Sequence, residues 1–201
     1  MRKIVFASWN PKKATEIQRM TPEGIKFVCL KDIPEAADVP QAEENGTTFK
    51  ENATIKAKYW AEKLNMPVLA EDSGIEIDAL NGYPGVYTKR YIEKLRPGAK
   101  ANTDKPDELY PVLLELMAES GNPSTQAKWV SAMAFIDSEK EVFATEYLLG
   151  DMCPCAGERV FGFDQYFRPT GLNKTLSELS PEEKDSYGPR KRAFESILNQ
   201  L

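Results

Sequence analysis

Residues 67–79 limit the possible folds of this chain more tightly than any other stretch. Two apolar runs, Pro67 to Ala70 and Ile75 to Ala79, have the content of buried strands, and Glu71, Asp72, Ser73 and Gly74 stand between them. Two adjacent carboxylates beside a hydroxyl and a glycine free to take positive φ read as a turn with unusual chemistry. Carboxylates at the end of a buried strand can hold a hard cation through oxygen, and one of them can take a proton from water. Asp, Ser and Gly are also ordinary turn residues, so a solvated hairpin turn fits the same four positions. The rest of the chain has to decide between the two.

Lys3 to Ala7 predicts a first strand that ends at Ser8-Trp9-Asn10. Asn10 is a good N-cap and Pro11 a good first helical residue, so a helix is expected from Pro11 to about Met20 with Ala14, Ile17 and Met20 inward. Its first turn carries Lys12 and Lys13, where a structural helix favours acids, and its unpaired amides suit an anion. A basic helix start is equally common on solvated surface, and the G-x-x-x-x-G-K-[ST] loop is missing. Ile25 to Leu30 predicts a second strand. Lys31 to Asn45 reads as a long connection that ends in the acidic run Ala42-Glu43-Glu44-Asn45-Gly46. From Thr48 to Leu64 a helix is clear, because Phe49, Ala53, Ala57, Trp60 and Leu64 share one face. Lys56 projects near the middle of that stripe, either snorkelling outward or aimed at a buried phosphate or carboxylate.

Thr88 to Arg96 and Asp107 to Glu119 predict further helices, with a polar link from Ala99 to Lys105 between them. The second is amphipathic through Leu109, Val112, Leu113, Leu116 and Met117. Ala127 to Ile136 and Glu141 to Leu149 predict an antiparallel hairpin across Asp137-Ser138-Glu139-Lys140, so the sheet cannot be purely parallel. Phe161-Gly162-Phe163-Asp164 opens an aromatic run that continues to Phe167. Aromatics at this density usually form core, and Gly162 with Asp164 would also open a slot for a flat ring. Ser180-Pro181-Glu182-Glu183 is a capping box, and a final helix from about Arg190 turns Phe194, Ile197, Leu198 and Leu201 inward. There is no internal repeat and no clean linker, so residues 1–201 read as a single domain with two lobes.

Composition removes whole classes of function. With no histidine among 201 residues, Ser-His-Asp and Cys-His catalysis and imidazole-held metals are excluded, and chemistry must rest on carboxylates, lysines, hydroxyls or a metal. A net charge of −5 argues against a nucleic-acid polymer as partner, while a small phosphorylated ligand needs only a local basic pocket. Without a signal-like or membrane-spanning run, a cytoplasmic protein is expected. Cys29, Cys153 and Cys155 lack paired spacing and read as reduced thiols.

In this order and spacing the pieces resemble the ITPase (Ham1-like) family of nucleoside triphosphate pyrophosphatases. The resemblance covers Ala7 to Ala193. It is carried by Ala7-Ser8-Trp9-Asn10-Pro11-Lys12-Lys13 with Glu16, by Thr48-Phe49-Lys50-Glu51-Asn52-Ala53 with Lys56-Ala57, and by Glu71-Asp72-Ser73-Gly74 with Ala79-Leu80-Asn81-Gly82 and Pro84-Gly85-Val86-Tyr87. Phe161-Gly162-Phe163-Asp164, Lys174-Thr175 with Glu178-Leu179, and Glu183-Lys184 complete it. Each piece is weak alone, and the set is strong. It implies an elongated two-lobed α/β fold with a long mixed sheet and a substrate cleft between the lobes, usually as a homodimer. It also implies hydrolysis of deaminated purine nucleoside triphosphates such as ITP and XTP to the monophosphate and pyrophosphate with Mg²⁺, for which Mn²⁺ may substitute. Asp72 then resembles the general base, and Glu44 with Asp72 the metal site. Ser8, Asn10, Lys13, Lys56 and Ser73 resemble the phosphate contacts. Phe161, Gly162, Phe163, Asp164, Lys184 and Arg190 resemble the base pocket.

The chain departs from the family pattern at several points. Trp9 replaces a usual glycine, Glu71 a frequent Asp, and Gln165 a proline. Gly188-Pro189-Arg190 stands where the family has Ser-His-Arg, so a base-contacting imidazole is lost. The expected outcome is a keto-purine preference looser than the family norm. The same hydrolysis of a different nucleobase, or nucleotide binding without turnover, are the alternatives.

Overall fold

The computed structural model describes residues 2–88, 106–154, 156–157 and 163–201. The predicted helix beyond Thr88, the polar link to Lys105, Cys155, Phe161 and Gly162 lie outside them.

Strands β1 (Arg2–Phe6) and β2 (Ile25–Cys29) are parallel, and β3 (Val68–Ile77) pairs parallel with the other side of β1. Helix α1 (Pro11–Met20) carries the chain from β1 to β2. It starts as expected, with the Asn10 side chain accepting from the Lys12 amide at 2.9 Å and Pro11 in the first turn. Helix α2 (Phe49–Leu64) leads into β3. Thr48 Oγ1 accepts from the Glu51 amide at 3.1 Å while the Glu51 carboxylate accepts from the Thr48 amide, a closed capping box. The helix ends at Asn65, whose φ of 49° is the left-handed conformation that asparagine tolerates.

Strands β4 (Gln126–Ile136) and β5 (Glu141–Met152) are neighbours in the sheet, and the short link between them makes them an antiparallel hairpin. Asp137 Oδ1 accepts from the amides of Glu139 and Lys140 and fixes that turn. Strand β6 (Phe167–Pro169) pairs antiparallel with β5. The described strands follow the order β2-β1-β3-β4-β5-β6, so the fold is α/β with a six-stranded mixed sheet. Helices α3 (Pro106–Glu119), α4 (Pro181–Tyr187) and α5 (Pro189–Leu198) complete the regular elements. No helix among the described residues is long and apolar enough to cross a membrane.

The expected turn at residues 71–74 is absent. Glu71, Asp72, Ser73 and Gly74 continue β3 as one unbroken strand, and Gly74 is not among the glycines at positive φ. The physical reason is position in the sheet: β3 lies between β1 and β4, its pairing with β1 reaches Leu69, and the strand runs on past that point beside β4, so these polar residues extend it in place of turning.

The chain divides into two compact units. The first holds residues up to Asp72, Ser131–Glu146 and Arg190–Leu201; the second holds Ser73–Val130 and Tyr147–Pro189. In the first, strand alternation separates two apolar layers. Leu69 packs with Ile4, Phe6, Ile17, Phe135 and Phe194, which puts α1 and α5 on that face. Val68 and Ala70 pack with Val5, Ala53, Ala57, Trp60 and Ala134, which puts α2 on the other. The second unit has its own core around Ile75, Ile77, Leu113, Trp129, Phe163 and Phe167. Tyr110, absent from the expected inward face of α3, is buried there with its ring 5.0 Å from that of Tyr166.

Candidate active site

Strand alternation sends the two adjacent carboxylates of β3 to opposite faces, and this decides what each can do. Asp72 shares the parity of Val68 and Ala70 and so meets α2. Its Oδ2 accepts from Asn52 Nδ2 at 3.2 Å, and its Oδ1 lies 3.8 Å from Lys56 Nζ. Lys56 Nζ also donates to the Glu71 carbonyl at 3.1 Å and stands 3.2 Å from Glu44 Oε2. Asn52 and Lys56 are one helical turn apart and therefore project from α2 side by side. Glu44, Lys56 and Asp72 thus come together, with one ammonium between two carboxylates. Burial pushes the Asp72 carboxyl above its ordinary value; Lys56 pulls it back down and Glu44 adds to the rise. A carboxylate held partly out of water with a raised pKa is a stronger proton acceptor than one in solvent.

Glu71 shares the parity of Leu69 and is buried on the face of α1 and α5. Its Oε1 accepts from Arg190 Nε at 2.9 Å and from Ser131 Oγ at 2.8 Å, and its Oε2 lies 3.1 Å from Lys13 Nζ. The Arg190 guanidinium pairs with Glu16 as well. Burial alone would raise the Glu71 pKa, but Arg190, Lys13 and the Ser131 hydroxyl together lower it to about 2. In Arg190 burial favours the neutral form, and the carboxylates of Glu71 and Glu16 more than reverse this, driving its pKa up. Two of the expected substrate contacts, Lys13 and Arg190, are therefore held against Glu71.

Ser8 and Asn10 form the turn that opens α1, where Ser8 Oγ accepts from the Asn10 amide at 3.2 Å. Trp9, between them, is exposed and stands edge-on to Trp60 with ring centroids 6.4 Å apart. Ser73 follows Asp72 on β3 and begins the second unit. There Phe163 is buried with its ring edge-on to Tyr110, Trp129 and Phe167, a core residue first of all. Asp164, also buried, accepts from Lys184 Nζ at 2.6 Å, and that ammonium stands 5.7 Å from the centre of the Trp129 ring. Gly188 and Pro189, where the family pattern has Ser-His, are both buried.

Sequence reading missed the roles of Asn52 and Ser131. Asn52 is fully buried on the apolar side of α2, and a polar residue inside a predicted apolar stripe, four positions before a lysine in the same stripe, was the available signal. Ser131 gave none, because a serine in a strand is unremarkable until its partner is known. Among the described residues no group of three or more His, Cys, Asp or Glu gathers around one point. Glu44 and Asp72 are still the right donors for a hard cation, since Mg²⁺ commonly takes one or two carboxylates and completes its shell with water and phosphate oxygens.

Residues 4–200 match the model of the Ham1 family. A dITP/XTP pyrophosphatase of Oceanobacillus iheyensis is 34% identical over 204 aligned positions, covering 100% of this chain and 98% of that protein. One from Flavobacterium johnsoniae is 36% identical, covering 99% and 97%. A solved Ham1 protein from Coxiella burnetii matches with a TM-score of 0.86 at 31% identity, with 100% of each chain covered.

Proposed function

The chain belongs to the Ham1 family, and from that premise we propose that it hydrolyses deaminated purine nucleoside triphosphates, ITP and XTP with their deoxy forms, to the monophosphate and pyrophosphate. The observation that carries this reading is the half-buried Asp72, one oxygen of which accepts from Asn52 while the other stands beside Lys56, and whose pKa is raised. Asp72 is the general base that takes a proton from the attacking water. Lys56 and the opening of α1, with Ser8 and Asn10, supply positive charge and donors to the triphosphate, as does the Ser73 hydroxyl, while Lys13 lies behind them paired with Glu71. Glu44 and Asp72 would hold Mg²⁺, which when bound would offset phosphate charge and polarise the phosphoryl oxygens.

By the family resemblance, base recognition falls to the segment Phe161 to Asp164 with Lys184, and Arg190, paired with Glu71 and Glu16, is the further residue the resemblance assigns to it. With no imidazole at Pro189, discrimination against ATP and GTP is looser than in the family, by about ten- to a hundred-fold, since a lost hydrogen bond at a buried group is worth roughly 1–3 kcal/mol. The protein works in the cytoplasm as a homodimer. Tyr147 and Leu149, alternate residues of β5 that are 55% and 49% exposed, give the kind of apolar surface a second copy covers. Light scattering checks that mass.

The reaction is tested by incubating the protein with ITP, XTP, dITP, GTP and ATP and measuring pyrophosphate and inorganic phosphate separately. Pyrophosphate from ITP, XTP and dITP above that from GTP and ATP, abolished by EDTA and restored by Mg²⁺ or Mn²⁺, is the expected result. Release of inorganic phosphate, a preference for ATP, or full activity in EDTA contradicts the proposal.

A further inference from the structure

Asn52 is fully buried in the first turns of α2, and a buried primary amide is unfavourable unless its donors and acceptor are engaged. Its Oδ1 accepts from the Gly46 amide at 2.8 Å and its Nδ2 donates to Asp72 Oδ2 at 3.2 Å. The orientation of the amide is not arbitrary. A backbone N–H can only donate, so the atom facing Gly46 is the oxygen, and the nitrogen must then face the acceptor carboxylate. The loop reaches this amide only because residue 46 is glycine: a Cβ there would stand 2.7 Å from Asn52 Oδ1 and 2.7 Å from Glu51 Cβ. Two residues before Gly46 is Glu44, whose Oε2 lies 3.2 Å from Lys56 on the next turn of the same helix. The Glu44 loop and the Asp72 strand are otherwise separate pieces of chain, and one turn of α2 fastens both.

We propose that Asn52 is a positioning residue, whose single amide locks the loop bearing Glu44 to the carboxylate of Asp72. This role rests on the proposed reaction. The carbonyl arm fixes the loop, and the amino arm orients Asp72 so that Oδ1 remains available beside Lys56. The two arms make separable predictions. Asn52→Asp keeps an acceptor for Gly46 but replaces the donor to Asp72 by a second carboxylate. Gly46→Ala keeps the donor to Asp72 but drives the loop away from the amide.

The test measures pyrophosphate release from ITP, the Mg²⁺ concentration for half-maximal rate, thermal unfolding, and amide hydrogen exchange over residues 44–48. Misplacing a catalytic group by about 1 Å costs roughly 10²-fold, so Asn52→Asp is expected to lower kcat by about that factor with KM for ITP little changed and residues 44–48 still protected. Gly46→Ala is expected to speed exchange in that segment and raise the Mg²⁺ requirement about tenfold, with most of kcat recovered at saturating metal. Asn52→Ala should show both defects together. If folded Asn52→Asp and Asn52→Ala turn over within about twofold of wild type, or lose only thermal stability, the positioning role is overturned while the proposed reaction stands. A wild type that releases no pyrophosphate overturns the reaction and this role with it.

Discussion

Replacing Glu71 by Gln removes one negative charge from the centre of the first unit and leaves its shape nearly unchanged. The carboxylate lies between Lys13 and Arg190 with all three side chains almost fully excluded from water. Its pKa falls from an ordinary 4.5 to about 2, against a burial effect that alone would raise it. One pKa unit is worth about 1.4 kcal/mol, so the charged form is favoured in the fold by on the order of 3 kcal/mol. Removing one partner from a buried ion pair typically costs about 3–5 kcal/mol, and the low end applies here because Glu16 still faces Arg190. Glu71→Gln is therefore expected to lose about 3 kcal/mol in urea unfolding at pH 7, seen as a lower midpoint with an unchanged slope. A depressed carboxylate pKa gives stability that is complete above the unfolded value of 4.5 and is lost as pH falls through about 2. The gap between wild type and Glu71→Gln should accordingly narrow between those two values. A difference below about 1 kcal/mol at pH 7, or one equally large at pH 7 and near pH 2, refutes the reasoning.

Two further substitutions test the frame around the site. Thr48→Ala opens the capping box of α2 and should cost about 1 kcal/mol, read as a lower melting temperature with α2 still formed by circular dichroism. Gly150→Ala places a methyl against the Arg168 carbonyl and 2.6 Å from Phe167 Cζ, where β5 pairs with β6. Overpacking of this kind costs about 1–3 kcal/mol, and hydrogen exchange should rise first at Phe167–Pro169.

Most of the frame was legible because its causes are local. The period of Phe49, Ala53, Ala57 and Trp60, the Asn10-Pro11 start of α1 and the Ser180 to Glu183 box each depend on residues within a turn of one another, and all appear in the structure. The family resemblance drawn from the motif order is likewise borne out. The segment 71–74 was misread because its composition favours a turn, while what holds it straight is pairing to strands distant in sequence. The fate of Glu71 was equally invisible: Ser131 and Arg190, which bind it, lie 60 and 119 positions away. Lys12 and Lys13 looked alike in the sequence. The structure leaves Lys12 exposed and turns Lys13 inward to Glu71, since only the second shares a face with Ile17. Asn52 was visible as a motif letter, but its function depends on Gly46 and Asp72 approaching it from two sides.

The central claim is that Asp72 activates the water that cleaves a nucleoside triphosphate to monophosphate and pyrophosphate. The most direct measurement compares wild type with Asp72→Asn at saturating ITP and Mg²⁺, following pyrophosphate, with thermal unfolding of both proteins as the check on folding. A positioned base is worth about 10²–10⁴ in rate, so Asp72→Asn is predicted to lose at least a hundredfold of kcat while unfolding at or above the wild-type temperature, since it removes a charge that burial disfavours. Wild-type turnover in a folded Asp72→Asn would contradict the account.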